Sequence, residues 1–125
     1  MNNTVIDPFN IVPNRPNSFH NLNIITHNVL SFKDTVKQQL LIKLYEQYNA
    51  NIIALQDIKL TYPTVRALKL ILDKSYTILT NTQLDSNDHN TGVALIFKKY
   101  IADHIYNHGG FWGRIIYADI QLQNK

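Results

Sequence analysis

Three side chains stand where chemistry could be done. Asn28 lies near the end of a short β-branched stretch, Leu22-Asn23-Ile24-Ile25-Thr26-His27-Asn28-Val29-Leu30. Gln56 and Asp57 close a second apolar run, Ile52-Ile53-Ala54-Leu55. Polar groups gathered at the ends of neighbouring strands commonly form the ligand site of an α/β sheet. Asp57 offers a carboxylate, the donor that Mg²⁺ prefers alongside water. Asn28 can orient a phosphate or a carboxylate. Each also has a plainer reading: an Asn after a strand is a common turn residue, and an Asp before a loop a common solvated cap.

Other residue types narrow the field. The chain has no cysteine, which excludes disulfide frameworks, thiolate nucleophiles and cysteine-ligated zinc. His104 and His108 are four apart and would share a helix face, but Gly109 and Gly110 follow at once and no third ligand is evident. Phe111 and Trp112 are expected to anchor a loop or the core, with stacking on a nucleotide base as the competing reading. Lys33, Lys37 and Lys43, and then Lys59, Arg66, Lys69 and Lys74, are expected to form solvated faces of two helices. A basic face of this kind can also steer DNA.

The elements that must position these residues follow from periodicity. Leu22 to Leu30 reads as a strand. Thr35 and Gln38 have the spacing of a capping box, and Val36, Leu40, Leu41, Leu44, Tyr45 and Tyr48 form an apolar stripe at helical spacing. Asn49 and Asn51 suit the turn that ends this helix. Ile52 to Leu55 is too short for a helix and reads as a strand buried on both faces. Thr61 to Pro63 opens a second helix whose buried face is Val65, Leu68, Ile71 and Leu72. Ser75–Thr80 and Gly92–Lys98 read as strands, with a polar loop, Asn81–Thr91, between them. From Gly113 to Gln123 the pattern alternates, with Ile116, Ala118, Ile120 and Leu122 facing one way. The order strand, helix, strand, helix, strand, strand, strand predicts a mixed α/β fold with helices covering one face of a sheet.

The 125 residues fit one domain, and 45% hydrophobic against 17% charged residues supply a packed core. Residues 1–21, rich in Asn and Pro, read as a loose leader, and order is expected from residue 22. No apolar run approaches the roughly 18 residues a membrane span needs, and the N-terminus lacks the features of a secretory signal. The expectation is an intracellular protein, nuclear or cytoplasmic. A net charge of +3 and a pI near 9.2 suit a polyanionic partner.

Four segments carry a more specific signal. Leu22 to Val29 resembles the opening motif of the endonuclease/exonuclease/phosphatase superfamily, a strand ending in Asn-Val. Asn51-Ile52-Ile53-Ala54-Leu55-Gln56-Asp57-Ile58-Lys59-Leu60 is similar to its second motif, Asp-Ile-Ile-x-Leu-Gln-Glu-Thr-Lys-Leu. Thr91-Gly92-Val93-Ala94-Leu95-Ile96 resembles its Gly-Val-Ala strand, and Gly113-Arg114-Ile115-Ile116-Tyr117-Ala118-Asp119-Ile120 the Gly-Arg strand that follows. The resemblance spans Leu22 to Gln123 and is nearest to abasic-site endonucleases and the endonuclease domains of LINE-type retrotransposons. It implies the first half of a deoxyribonuclease I-like, four-layer α/β/β/α sandwich. It also implies Mg²⁺ (or Mn²⁺) as cofactor and nucleic acid, DNA before RNA, as partner. Asn28 would stand in the active site, Asp57 at the metal-binding Glu position, and Gln56 beside it as support. Arg114 would be structural or touch a backbone phosphate, and His27 fills a slot where the family often has Trp.

Two departures from the pattern carry consequences. Asp57 is one methylene shorter than Glu, so it must bring its backbone closer to the metal or bind through water, since Mg²⁺ demands near-octahedral geometry at ~2.0–2.1 Å. The family's later motifs, which supply a Tyr, an Asp-x-Asn pair and a final Asp-His, are not in this sequence. Metal-assisted hydrolysis needs a positioned nucleophile as well as a Lewis acid. The resemblance therefore implies a phosphodiesterase half-domain that is incomplete alone, completed by a missing C-terminal half or by self-association. The alternatives are a non-catalytic interaction module from a degenerate mobile-element endonuclease, or a relative of the inositol-phosphate phosphatases and sphingomyelinases of the same superfamily.

Overall fold

The computed structural model describes residues 21–72, 74–81 and 92–122. The expected leader, apart from Asn21, and nearly all of the expected polar loop lie outside the described residues, as do His20 and His89. The described chain runs β1 (Ile24–Asn28), α1 (Thr35–Gln47), β2 (Ile52–Gln56), α2 (Tyr62–Leu72), β3 (Tyr76–Asn81), β4 (Val93–Lys98), α3 (Lys99–Ala102), β5 (Ile105–Phe111) and β6 (Ile115–Ile120). It is a mixed α/β fold with two sheets. The first has the order β1-β2-β4-β3, with β1 parallel to β2 and the other pairs antiparallel; the second is the β5–β6 hairpin.

Both faces of the four-stranded sheet are used. On one, Ile53, Leu55, Ala94, Ile96, Tyr76 and Ile78 join Tyr45 of α1 and Val65, Leu68 and Leu72 of α2 in the larger core. On the other, Ile52 and Phe97 pack with Ile101 of α3 and with Ala118, Ile120 and Leu122 from the hairpin side. This explains why Ile52 to Leu55 is apolar without a break: successive side chains enter different cores. It also explains the alternation along β6, whose even positions 116–122 are half-buried while Ile115, Tyr117, Asp119 and Gln121 are exposed.

Helix α1 differs from expectation in two ways. Its N-cap is Asp34, whose carboxylate accepts from the Val36 N–H at 3.2 Å. Gln38 therefore does not close a capping box with Thr35; its Nε2 donates instead to the buried Phe32 carbonyl at 2.7 Å. The helix is also rotated relative to the expected stripe. Tyr45 and Gln38 are buried and Leu41 and Ile42 half-buried, whereas Val36, Leu40, Leu44 and Tyr48 are exposed. The Gln38 bond and a 2.7 Å bond between Tyr45 Oη and His27 Nδ1 hold this rotation. Val36 and Leu40 instead line a groove of about 490 Å³ shared with Leu68, Ile71 and Leu72 of α2. The helix ends at Asn49, left-handed at φ 55°, with the Ala50 N–H returning to the Tyr45 carbonyl at 3.1 Å.

Helix α2 starts as expected: the Thr61 N–H donates to Thr64 Oγ1 at 2.8 Å, and Pro63 sits in the first turn. Ile71 is an exception to its predicted buried face, being largely exposed. Strand β5 and the short α3 were not expected. Gly109 and Gly110 both sit in β5, where neighbours come too close for a side chain. A Cβ on Gly109 would lie 2.8 Å from Tyr117 Oη, and one on Gly110 would lie 2.5 Å from the Ile115 carbonyl oxygen. Among the described residues no helix is long and apolar enough to cross a membrane.

Candidate metal and phosphate site

The parallel pairing of β1 and β2 sets Asn28 directly opposite Gln56. Two residues back, Thr26 opposes Ala54 and shares the Asn28 face, which is turned away from α1 and α2. The Gln56 amide Nε2 donates to Thr26 Oγ1 at 2.9 Å and to the Ala54 carbonyl at 3.1 Å. Gln56 is thus tied to both strands by its side chain. Thr26 went unnoticed in the sequence, although its spacing of two from Asn28 was the available signal.

Asn28 folds its carbonyl oxygen over the next turn, where Oδ1 accepts from the Leu30 N–H at 3.1 Å. That bond settles which end of the amide is which, and it leaves Nδ2 as the outward donor, with no partner among the described residues. Asp57 is half-buried and left-handed at φ 58°, a conformation Asp tolerates better than most residues. Its carboxylate has no hydrogen-bond or ion-pair partner among the described residues.

Backbone hydrogen bonds fix these loops together. Val29 N–H donates to the Gln56 carbonyl at 3.0 Å, Ser31 N–H to the Asp57 carbonyl at 2.7 Å and Phe32 N–H to the Ile58 carbonyl at 2.8 Å. Ile58 N–H reaches the Gly92 carbonyl at 3.1 Å, Gly92 N–H the Gly113 carbonyl at 2.9 Å, and Gly113 N–H the Asn81 side chain at 2.7 Å. All four resembling segments therefore meet at one end of the molecule. Leu30, Ser31, Asp57, Lys59 and Trp112 are all left-handed there, at φ between 55° and 108°. Strained backbone of this kind persists only where the surroundings over-determine it.

The remaining expectations separate. Arg114 is exposed and follows Gly113 in this ladder, so it borders the same end. His27 points the other way, into the helix side, where Tyr45 meets it edge-on; burial pushes the Tyr45 phenol up to about 12. His104 lies in a turn and His108 on β5, so the shared helix face does not exist. Among the described residues no group of three or more His, Cys, Asp or Glu side chains is placed to hold a metal. Phe111 and Trp112 are not core residues: they are 50% and 71% exposed. Lys37 is not simply solvated, because its Nζ donates to the Val29 carbonyl at 2.6 Å. Lys43, Arg66 and Lys69 are exposed on their helices as expected, whereas Lys33, Lys59 and Lys74 lie outside the helices, Lys33 and Lys74 exposed and Lys59 half-buried.

One carboxylate with nearby amides suits Mg²⁺, which keeps most of its waters and often takes a single protein carboxylate plus substrate oxygens. The same donor set does not suit zinc, which needs three or four nitrogen, sulfur or carboxylate ligands. No family model matches this chain, and no curated protein matches it.

Proposed function

We propose that this chain is the N-terminal part of a Mg²⁺-dependent phosphodiesterase domain that acts on nucleic acid, built on the deoxyribonuclease I-like four-layer plan. The observation that carries the reading is the pairing of Asn28 with Gln56 beside an Asp57 carboxylate that has no partner among the described residues. The order of the four resembling segments and their convergence at one end support it. Asp57 would hold the metal, which supplies Lewis-acid polarisation of a phosphoryl oxygen. Asn28 Nδ2 donates to a phosphate oxygen, because its own oxygen is occupied by Leu30. Gln56 and Thr26 keep the two strand ends in register.

The reading includes a deficiency. Hydrolysis needs a base or a second carboxylate to prepare water, and Asn28 and Gln56 cannot serve. The chain by itself is therefore expected not to cut. The test is nicking of supercoiled plasmid and of an abasic-site duplex with Mg²⁺, with EDTA and Asp57→Ala as controls. Nicking that disappears in both controls would show a complete site and refute the half-site reading. Absence of nicking, together with Mg²⁺ binding that Asp57→Ala abolishes, is the expected result. Absence of both would refute the metal site.

One observation favours a second reading, an interaction module. Ile24 is 61% exposed on β1, which is an edge strand among the described residues, and such edges pair with other chains.

A further inference from the structure

The groove between α1 and α2 is apolar along its length and polar at one end. Val36, Leu40 and Ile71 line it and are 61%, 63% and 48% exposed, whereas the apolar stripe of a helix ordinarily meets a packing partner. Its volume of about 490 Å³ is that of a site for a small ligand or a few side chains. Glu46, Ser75 and Tyr76 form the polar end, and Lys43 stands further in. The Tyr76 hydroxyl donates to the Glu46 carboxylate at 2.9 Å, which ties the end of α1 to the start of β3.

The chain itself arrives beside that end. The Asn23 N–H donates to Asn51 Oδ1 at 2.7 Å and Asn23 Nδ2 to the Asn49 carbonyl at 3.1 Å, so the chain enters β1 against the turn that closes α1. Residues 1–20 precede the described part. Within them Ile6, Phe9 and Val12 recur at every third position, with Pro8 and Pro13 among them. Proline breaks a helix and favours polyproline II, which has three residues per turn, so these apolar side chains would share one edge. From Ile6 to Val12 that edge is about 19 Å long, against about 15 Å for α1 from Val36 to Glu46. The link, residues 13–21, spans up to about 30 Å when extended, ample to pass one helix diameter of roughly 10–12 Å.

We propose that residues 6–12 of this chain dock as an extended segment in the α1–α2 groove, with Ile6, Phe9 and Val12 on Val36, Leu40 and Ile71. Charge sets the direction. Counting back from Asn21, Arg15 comes first and Asp7 follows; along the groove from its polar end, Glu46 comes first and Lys43 follows. Exposed pairs of this kind fix orientation more than strength. Tethering favours this occupant over a second copy, since a short link gives an effective concentration on the order of mM. The inference stands apart from the phosphodiesterase reading, because the groove lies on the helix side of the sheet and Asn28 faces the other side.

The chain has no cysteine, so Asn10→Cys takes a single nitroxide label at a position off the apolar edge. The full chain is isotope-enriched, and its amide signals are compared with the label oxidised and reduced. The expected result is loss of the Leu40, Lys43, Leu68 and Ile71 signals in the oxidised sample, with those of the β5–β6 hairpin kept. A mixture of labelled, unenriched chain with unlabelled, enriched chain should show no loss. Two variants of the labelled chain should each restore the groove signals while thermal melting shows the fold retained: Leu40→Gln, at a side chain mostly in water, and Phe9→Ser combined with Val12→Ser. The second leaves α1 and α2 untouched, so it decides the test if Leu40→Gln melts early. Groove signals that survive the oxidised label would overturn the proposal. So would losses that persist in a folded variant, or losses that appear in the mixture, which would make a second copy the occupant.

Discussion

Position 57 allows metal binding and backbone strain to be separated in one series of substitutions. Asp57 is left-handed at φ 58° and is locked there, because its carbonyl accepts the Ser31 N–H at 2.7 Å while the next residue's N–H donates to Gly92. A residue with a Cβ loses about 1–2 kcal/mol in that conformation, less for Asn and Asp, whose short polar side chains settle it locally. Asp57→Asn keeps shape and tolerance, so stability should stay within about 0.5 kcal/mol. Asp57→Ala keeps the Cβ and loses the tolerance, so it should lose about 1 kcal/mol, a fall of roughly 4 °C in Tm for a domain of this size. Asp57→Gly relieves the Cβ clash but gains unfolded-state freedom, and the two effects should nearly cancel. Thermal unfolding followed by circular dichroism gives the stability order, and calorimetric titration with Mg²⁺ gives binding. All three variants should lose the metal, but only Ala should lose stability. If Asp57→Ala melts with Asp57→Asn, the backbone argument is wrong. If Asp57→Asn binds Mg²⁺ as the parent does, the carboxylate is not the ligand.

Two further outcomes test the packing that orients the site. Gln38→Leu keeps the bulk but leaves the buried Phe32 carbonyl without its donor, and should lower the unfolding free energy by about 1–3 kcal/mol, read as a lower urea midpoint at unchanged slope. Tyr45 is tied to alkaline stability: its folded pKa of about 12 lies above the ordinary 10, so folding favours the protonated phenol. That contribution is complete below pH 10 and is lost as the pH rises through 12. The difference in phenolate absorbance between the parent and Tyr45→Phe should have its midpoint near 12, and a midpoint at 10 would show that Tyr45 is not buried.

Much of this was legible in the chain itself, for local reasons. Ile52 to Leu55 could only be a strand covered on both sides, being too short for a helix and apolar without alternation. Ile116 to Leu122 alternates because one side meets Phe97 and Ile101 and the other meets solvent. Asn28, Gln56 and Asp57 stood out because polar residues interrupt apolar runs at their ends. Periodicity found α1 but misjudged its buried face: several rows of side chains were apolar enough, and the choice fell to two polar bonds, Gln38 to Phe32 and Tyr45 to His27, that involve residues outside the helix. Strand β5 escaped notice because two consecutive glycines are poor strand formers, and only the approach of Tyr117 and Ile115 shows why they stand there.

The sequence by itself determined five of the six strands, the two longer helices and which polar residues sit at their ends, because those follow from residue spacing along the chain. Only the tertiary structure decided what meets what. The parallel pairing of β1 with β2 brings Asn28 beside Gln56 across 28 positions of chain, and hydrogen bonds between loops carry the Trp112 turn to the same end. Pairing register and loop contact depend on groups distant in sequence, and no local pattern contains them.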